Sequence, residues 1–385
     1  MLKMSWLVLL IVPILPPAIL GQQTQAKQPV DLSTAIAQVD ALADAEFSKD
    51  KIGCITIGIV SGSDLIWTKS YGYADTSKKT SATKDTGYRI GSITKQFTSL
   101  MLLQLVEQEK VHLSDPVEKY LPEVNKLRNR MTGAPPITLI QLATHTSGLD
   151  REPDDDEVVY GKGPVAEWEK NLIASIPLTS YIYEPGTRYS YSNIGYSILG
   201  LALSRAAGVL YVEYVQEHIL KPLGMSHTAF SLNEQMEEKR ARGFLIENGK
   251  VDAEEPERQE RDGRGWRVPV GALYSTLGDL VRFVSFELGL GPEGVLSKKA
   301  LSANFERVNS ANSNFSYGYG VGFQARRLGN VIGLGHDGVL AGYQCSAWID
   351  PKSRLGVITL TTRQEKFLGL RALEVLSHST QRSDK

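Results

Sequence analysis

Cysteine is nearly absent: Cys54 and Cys345 are the two in 385 residues. A disulfide-built scaffold is therefore excluded, and with each Cys inside a strand-like run the pair reads as two buried thiols. An oxidising compartment would allow a bridge, but the fold should not depend on one. Beyond residue 20 no apolar run approaches the roughly 18 residues of a membrane span, so the mature chain is expected to be soluble. Charge of one sign is missing too. Lys and Arg number 42 against 43 acidic residues, a net of -1, which leaves no long-range field to gather nucleic acid or anionic membrane. No His-Glu-x-x-His or Cys-His spacing is present, so neither a metal nor a cofactor is expected. A phosphate-binding loop and a Gly-x-Ser-x-Gly nucleophile elbow are missing as well. There is no internal repeat and no low-complexity tract.

What is there is an ordinary globular composition, 42% hydrophobic and 22% charged, able to bury a sizeable core. Residues 1–21 read as a signal peptide: Lys3, then an apolar run over 6–20 broken by Pro13, Pro16 and Pro17. Export to the periplasm or outside the cell is expected, with an uncleaved signal anchor as the alternative, because no clean Ala-x-Ala site precedes the polar residues 22–28. Leu32, Ile36, Val39, Leu42, Ala43 and Phe47 then recur at helical spacing. Residues 53–60 (GCITIGIV) and 65–73 (LIWTKSYGY) flank a turn sequence and predict a β-hairpin. Helical spacing follows over 94–108, 137–143, 196–207 and 211–219. Strand signals resume over 320–326, 331–334, 343–349 and 355–361, and 367–376 suits a closing helix. The expected fold is α+β: an antiparallel sheet flanked by N- and C-terminal helices, with an inserted mainly helical subdomain. One domain over 32–376 is expected, its α/β part over about 32–85 and 265–376 and its helical part over about 86–264. The charged stretches 150–157 (DREPDDDE) and 254–264 (EEPERQERDGR) read as solvated loops at the mouth of a cleft.

Three short elements carry chemistry. In 91–97 (GSITKQF) the i, i+3 spacing puts the Ser92 hydroxyl and the Lys95 amine on one helical face. A Lys whose pKa is lowered by burial can take a serine proton, and a helix start offers N–H groups to an oxyanion. Helix capping is the bland alternative for Ser92. Ser48 and Lys51 repeat the spacing but sit among polar residues at the end of the first helix. In 183–193 (YEPGTRYSYSN), Tyr191 and Asn193 point the same way if the backbone is extended. A phenol beside a cationic Lys should have a lowered pKa and can relay protons, and the Asn amide can meet an acyl-group amide or Lys95. A structural Tyr in a polar loop is the alternative. In 335–339 (GHDGV), at the end of a predicted strand, His336 and Gly338 share a face and Asp337 takes the other. His336 could offer a hydrogen bond to a substrate that Gly338 lets approach, or the segment is a turn with a surface His.

Together these elements resemble the serine β-lactamase and D,D-peptidase (penicillin-binding protein) superfamily, in its class C β-lactamase-like branch, which also holds esterases. The likeness extends to 88–92 (YRIGS), 113–117 (LSDPV), 142–149 (LATHTSGL) and 271–276 (GALYST), so it covers about residues 32–376. It implies a nucleophile at Ser92, a base at Lys95, a proton relay at Tyr191 and an amide donor at Asn193. It implies substrate contacts at His336, Gly338 and Val339, with the oxyanion held by the N–H groups of Ser92 and Val339. The implied partner is a small-molecule or peptide substrate cleaved through an acyl-enzyme, with no cofactor, and nothing in the motifs speaks to oligomeric state. One departure stands out: the third box often reads Lys-Thr-Gly, and here it is His336-Asp337-Gly338. A carboxylate at Asp337 would repel a substrate carboxylate, which favours esters, amides or peptides that lack one.

Overall fold

A computed structural model describes residues 31–154, 161–314, 316–363 and 368–382. The expected leader and Asp155, Asp156 and Glu157 of the acidic stretch lie outside these residues. Nine antiparallel strands form the main sheet. They are β1 (Cys54–Ser61), β2 (Asp64–Asp75), β3 (Thr80–Ser81), β4 (Asn309–Ser310), β5 (Tyr317–Tyr319), β6 (Gln324–Leu328), β7 (Val331–Leu340), β8 (Tyr343–Asp350) and β9 (Leu355–Thr361). Their spatial order is β3-β2-β1-β9-β8-β7-β6-β5-β4. The expected hairpin and meander thus join edge to edge, with β1 against β9 in the register Ile57↔Thr359.

Period-two alternation decides which layer each side chain meets. In β9, Leu355 and Val357 face one layer with Ile57 and Trp348, and there they meet α1 (Ser33–Phe47) and α8 (Leu368–Arg382). Ala35, Val39 and Ala43 of α1 are fully buried at four-residue steps, which lets that helix lie close on the sheet. Ile358 and Leu360 face the opposite layer, which holds α2 (Thr94–Glu107), α3 (Trp168–Ser175), α4 (Asn193–Ala207), α5 (Tyr211–Val215) and α7 (Leu277–Glu287), whereas α6 (Glu254–Asp262) contributes nothing to that core cluster. Each large aliphatic or aromatic side chain buried between layers contributes roughly 1.5–3 kcal/mol.

Several expectations are corrected. The strand expected over 320–326 begins only at Gln324: residues 320–323 are the turn between β5 and β6, where Gly322 at φ +87° brings the chain down onto Ser99 of α2. The strand expected to stop at Leu334 runs on to Leu340 and carries the third box in its middle. Residues 254–262, read as a solvated loop, form a helix whose i, i+3 and i, i+4 pairs Glu255–Arg258 and Glu255–Gln259 hold it together. Both cysteines are buried and no disulfide joins them.

Candidate active site

The Ser92 segment is clamped before the helix begins. Tyr88 and Arg89 pair with Ser275 and Tyr274, and the Ile90 N–H donates to the Leu273 carbonyl. Gly91 takes φ +52°, which glycine adopts without steric cost, and Gly91–Ile93 make one tight turn leading into α2. Ser92 therefore sits one turn before the helix proper and stays partly accessible, whereas Lys95 is fully buried. The Lys95 Nζ lies 3.0 Å from Ser92 Oγ and 3.3 Å from the Val270 carbonyl. Burial holds the Lys95 pKa well below the ordinary lysine value, partly countered by Glu152 and reinforced by Arg151. A neutral amine in hydrogen-bond reach of a serine hydroxyl can take its proton. The competing pair Ser48 and Lys51 is exposed at the end of α1.

Tyr191 lies beside Ser92, and Lys95 Nζ lies 4.9 Å from its ring centre. Its pKa is not lowered, as the Lys neighbour suggested. Burial raises it, against a smaller lowering by the Ser92 side chain. The phenol is therefore held neutral, an acid rather than a phenolate. Asn193 is not on an extended strand: Ser192 caps α4 and Asn193 opens it. Its Nδ2 donates to Glu152 Oε1 at 2.6 Å, and its buried Oδ1 has no partner. It lines the Ser92 cleft together with Arg151 and Glu152, so this end of the acidic stretch is cleft wall rather than solvated loop.

One residue that composition and motif reading left aside holds this segment. His145, at φ +57° and fully buried, accepts the Ser192 N–H on Nδ1 at 3.0 Å, and its carbonyl accepts the Ser190 N–H at 2.8 Å. It thereby pins the backbone on both sides of Tyr191. The two rings lie 4.0 Å apart. Burial keeps the imidazole pKa well below its usual value, and the Nδ1 bond places its proton on Nε2.

On β7, His336 is neither at a surface nor free. Its Nδ1 donates to the Asp337 carbonyl at 2.6 Å and its Nε2 accepts from Tyr319 Oη at 2.9 Å. Burial, and then the charge of Lys95, push its pKa down to about 3. Both ring nitrogens are thus engaged inside the protein, so His336 fixes Tyr319 rather than reaching a substrate. Asp337 points to the opposite layer, where Trp348 Nε1 donates to its Oδ1 at 2.8 Å. The feared repulsion is removed by the pleat. Gly338 is needed for the protein's own backbone, since a Cβ there would stand 1.9 Å from the Ile90 oxygen and 3.2 Å from the Ser92 nitrogen. A Cβ on Gly91 would lie 3.1 Å from the Val339 nitrogen. The Ser92 and Val339 backbones are therefore neighbours, although the Val339 side chain is 55% exposed on the other face. Among the described residues no cluster of His, Cys, Asp or Glu could hold a metal ion.

The fold defines the class, β-lactamase/transpeptidase-like. The family model described as Beta-lactamase matches residues 36–378, and the chain belongs to that family. Protein flp of Staphylococcus aureus (strain MW2) is 26% identical over 336 residues, 86% of this chain and 64% of that protein. The chain thus spans less than two thirds of the length of this relative. The octameric penicillin-binding protein homologue from Pyrococcus abyssi superposes with a TM-score of 0.75 at 26% identity, covering 89% of this chain and 77% of its own. A class C β-lactamase gives a TM-score of 0.74 at 18% identity over 91% of this chain and 98% of its own, a likeness of fold.

Proposed function

We propose that this chain is a serine hydrolase that cleaves a small ester or amide through an acyl-enzyme on Ser92. The observation that carries the reading is the buried, deprotonation-prone Lys95 Nζ 3.0 Å from an accessible Ser92 Oγ, beside a phenol held neutral. Ser92 Oγ attacks the carbonyl carbon while its proton passes to Lys95. The carbonyl electrons move onto oxygen, which the N–H groups of Ser92 and Val339 receive. Collapse breaks the bond to the leaving group, which takes a proton from Tyr191, and the Lys95 ammonium reprotonates Tyr191. Water then attacks the ester of Ser92 and releases the acid. The unpartnered Asn193 Oδ1 is placed to accept an N–H from an amide-bearing acyl chain.

The test is intact-protein mass spectrometry with a fluorophosphonate and a penicillin, alongside turnover of a 4-nitrophenyl ester. Ser92→Ala should lose labelling and turnover together. Labelling without turnover of any ester or amide would replace the hydrolase with a protein that is acylated once. Full turnover in Ser92→Ala would sink the assignment.

A further inference from the structure

The mechanism uses one wall of the Ser92 cleft and leaves the other without a task. The cleft holds about 550 Å³ and runs from Ser92 and Asn193 to α6. Six cationic side chains line it against three carboxylates, an excess of positive charge in a chain whose net is -1. Arg258 is paired tightly with Glu255; the other ion pairs of the wall are loose. Arg151 and Arg267 share Glu152 at 3.9 and 3.8 Å, and Lys162 and Arg258 share Asp262 at 3.5 and 3.9 Å. All four distances lie at or beyond hydrogen-bond reach. On the floor, Arg89 and Arg264 share the single carboxylate of Glu260, at 3.2 and 2.8 Å. Both arginines are buried, and Arg89 Nη1 and Arg264 Nε have no acceptor. Buried guanidinium donors without acceptors are costly, and two guanidinium charges sharing one carboxylate leave this floor electropositive toward a second carboxylate.

Position on the strand indicates which part of a substrate would meet this wall. Along β7, Gly338 lies at Ser92, His336 precedes it toward Tyr319 and Tyr191, and Val339 and Leu340 follow it into the cleft. The leaving group is served by Tyr191 on the first side, so the acyl chain extends along the second. His336, neutral and engaged, supplies no cation on the leaving-group side.

Resting on the hydrolase reading above, we propose that the wall formed by Arg89, Arg264, Arg258 and Lys162 is an anion subsite, and that the physiological substrate carries a carboxylate on its acyl portion. The probes are 4-nitrophenyl hydrogen adipate and its methyl ester, which differ by one masked charge. The purified chain should favour the free acid by about tenfold in kcat/KM at low salt, as expected for a charge-complementary site. That ratio should shrink as NaCl is raised. It should also shrink in Arg258→Gln and Arg264→Gln, where turnover of the methyl ester reports that each variant is folded. Equal kcat/KM for the two esters, or a ratio that survives both substitutions, would overturn the subsite while leaving the hydrolase intact. Failure to turn over either ester, with no fluorophosphonate label on Ser92, would remove the hydrolase reading and the subsite with it.

Discussion

As the proposed base, Lys95 sets the pH behaviour expected of the site. Burial favours its neutral form, and a base works only when unprotonated, so activity is present above the lowered pKa and is lost as pH falls through it. The kcat/KM profile should therefore keep its plateau far below the ordinary lysine range. A rate that rises only near the usual lysine pKa would contradict this. Lys95→Arg keeps a cation that cannot give up its proton and should lose ~10²–10⁴ in kcat, the usual contribution of a general base. His145 acts through Tyr191. His145→Phe keeps the ring packing but cannot accept the Ser192 N–H, and the misplaced phenol should lower kcat by about 10²-fold, with Ser92 still labelled slowly. His145→Gln, which can accept that N–H, should recover part of the loss. Unchanged kcat in His145→Phe would show that the clamp is idle. The residue chemistry explains what could be read beforehand. Ser92, Lys95 and Tyr191 declare themselves by side-chain type and spacing, whereas His145 works through backbone hydrogen bonds. Its sequence signal is the family likeness of 142–149 (LATHTSGL), which assigns the residue no role; the positive φ at His145 and Gly148 shows only in the structure.

Between elements, α2 and α7 meet at a buried polar contact that the mechanism does not use. Gln96 Nε2 donates to Glu287 Oε1 at 2.6 Å, and Oε2 has no partner. Burial raises the Glu287 pKa to about 8, so the folded protein holds a proton that the unfolded chain has released above the usual Glu pKa. The stability this gives is fully present at acid pH and is lost as pH rises toward 8. Glu287→Gln removes the titration. Its advantage over the native chain should be small at pH 5 and reach on the order of a few kcal/mol by pH 8, read as a widening gap between urea midpoints. An equal gap at both pH values would show that ionisation is not what the contact costs. Element type was largely legible because periodicity records it, as with α1, α2 and the first hairpin. Element length was not. A strand breaker seemed to lie at Gly335-His336-Asp337-Gly338, but Gly335 and Gly338 are there because neighbouring backbones come close, a demand made by packing across the sheet.

At the scale of the molecule, the sheet depends on its last strand. β9 lies between β1 and β8, and its two faces supply Val357 to the layer of α1 and α8 and Ile358 to the layer of α7 and the active-site helices. Helix-rich and strand-rich stretches could be told apart by their periods, and so could the return of the chain to one sheet. The pairing of β1 with β9 could not, since register between distant strands is written only in their mutual packing. A chain ending at Asp350 keeps Ser92, Lys95, Tyr191 and all of β7 and β8, yet loses β9 and α8. It should leave β1 and β8 with open edges, fail to fold cooperatively and show no fluorophosphonate label at Ser92. A chain starting at Asp31 keeps every strand of the sheet and both layers and should label like the full chain. A soluble, labelled product from the first truncation would mean that the helical part and β4 to β8 form the site without the β1–β9 junction, and that the two ends of the chain only decorate it.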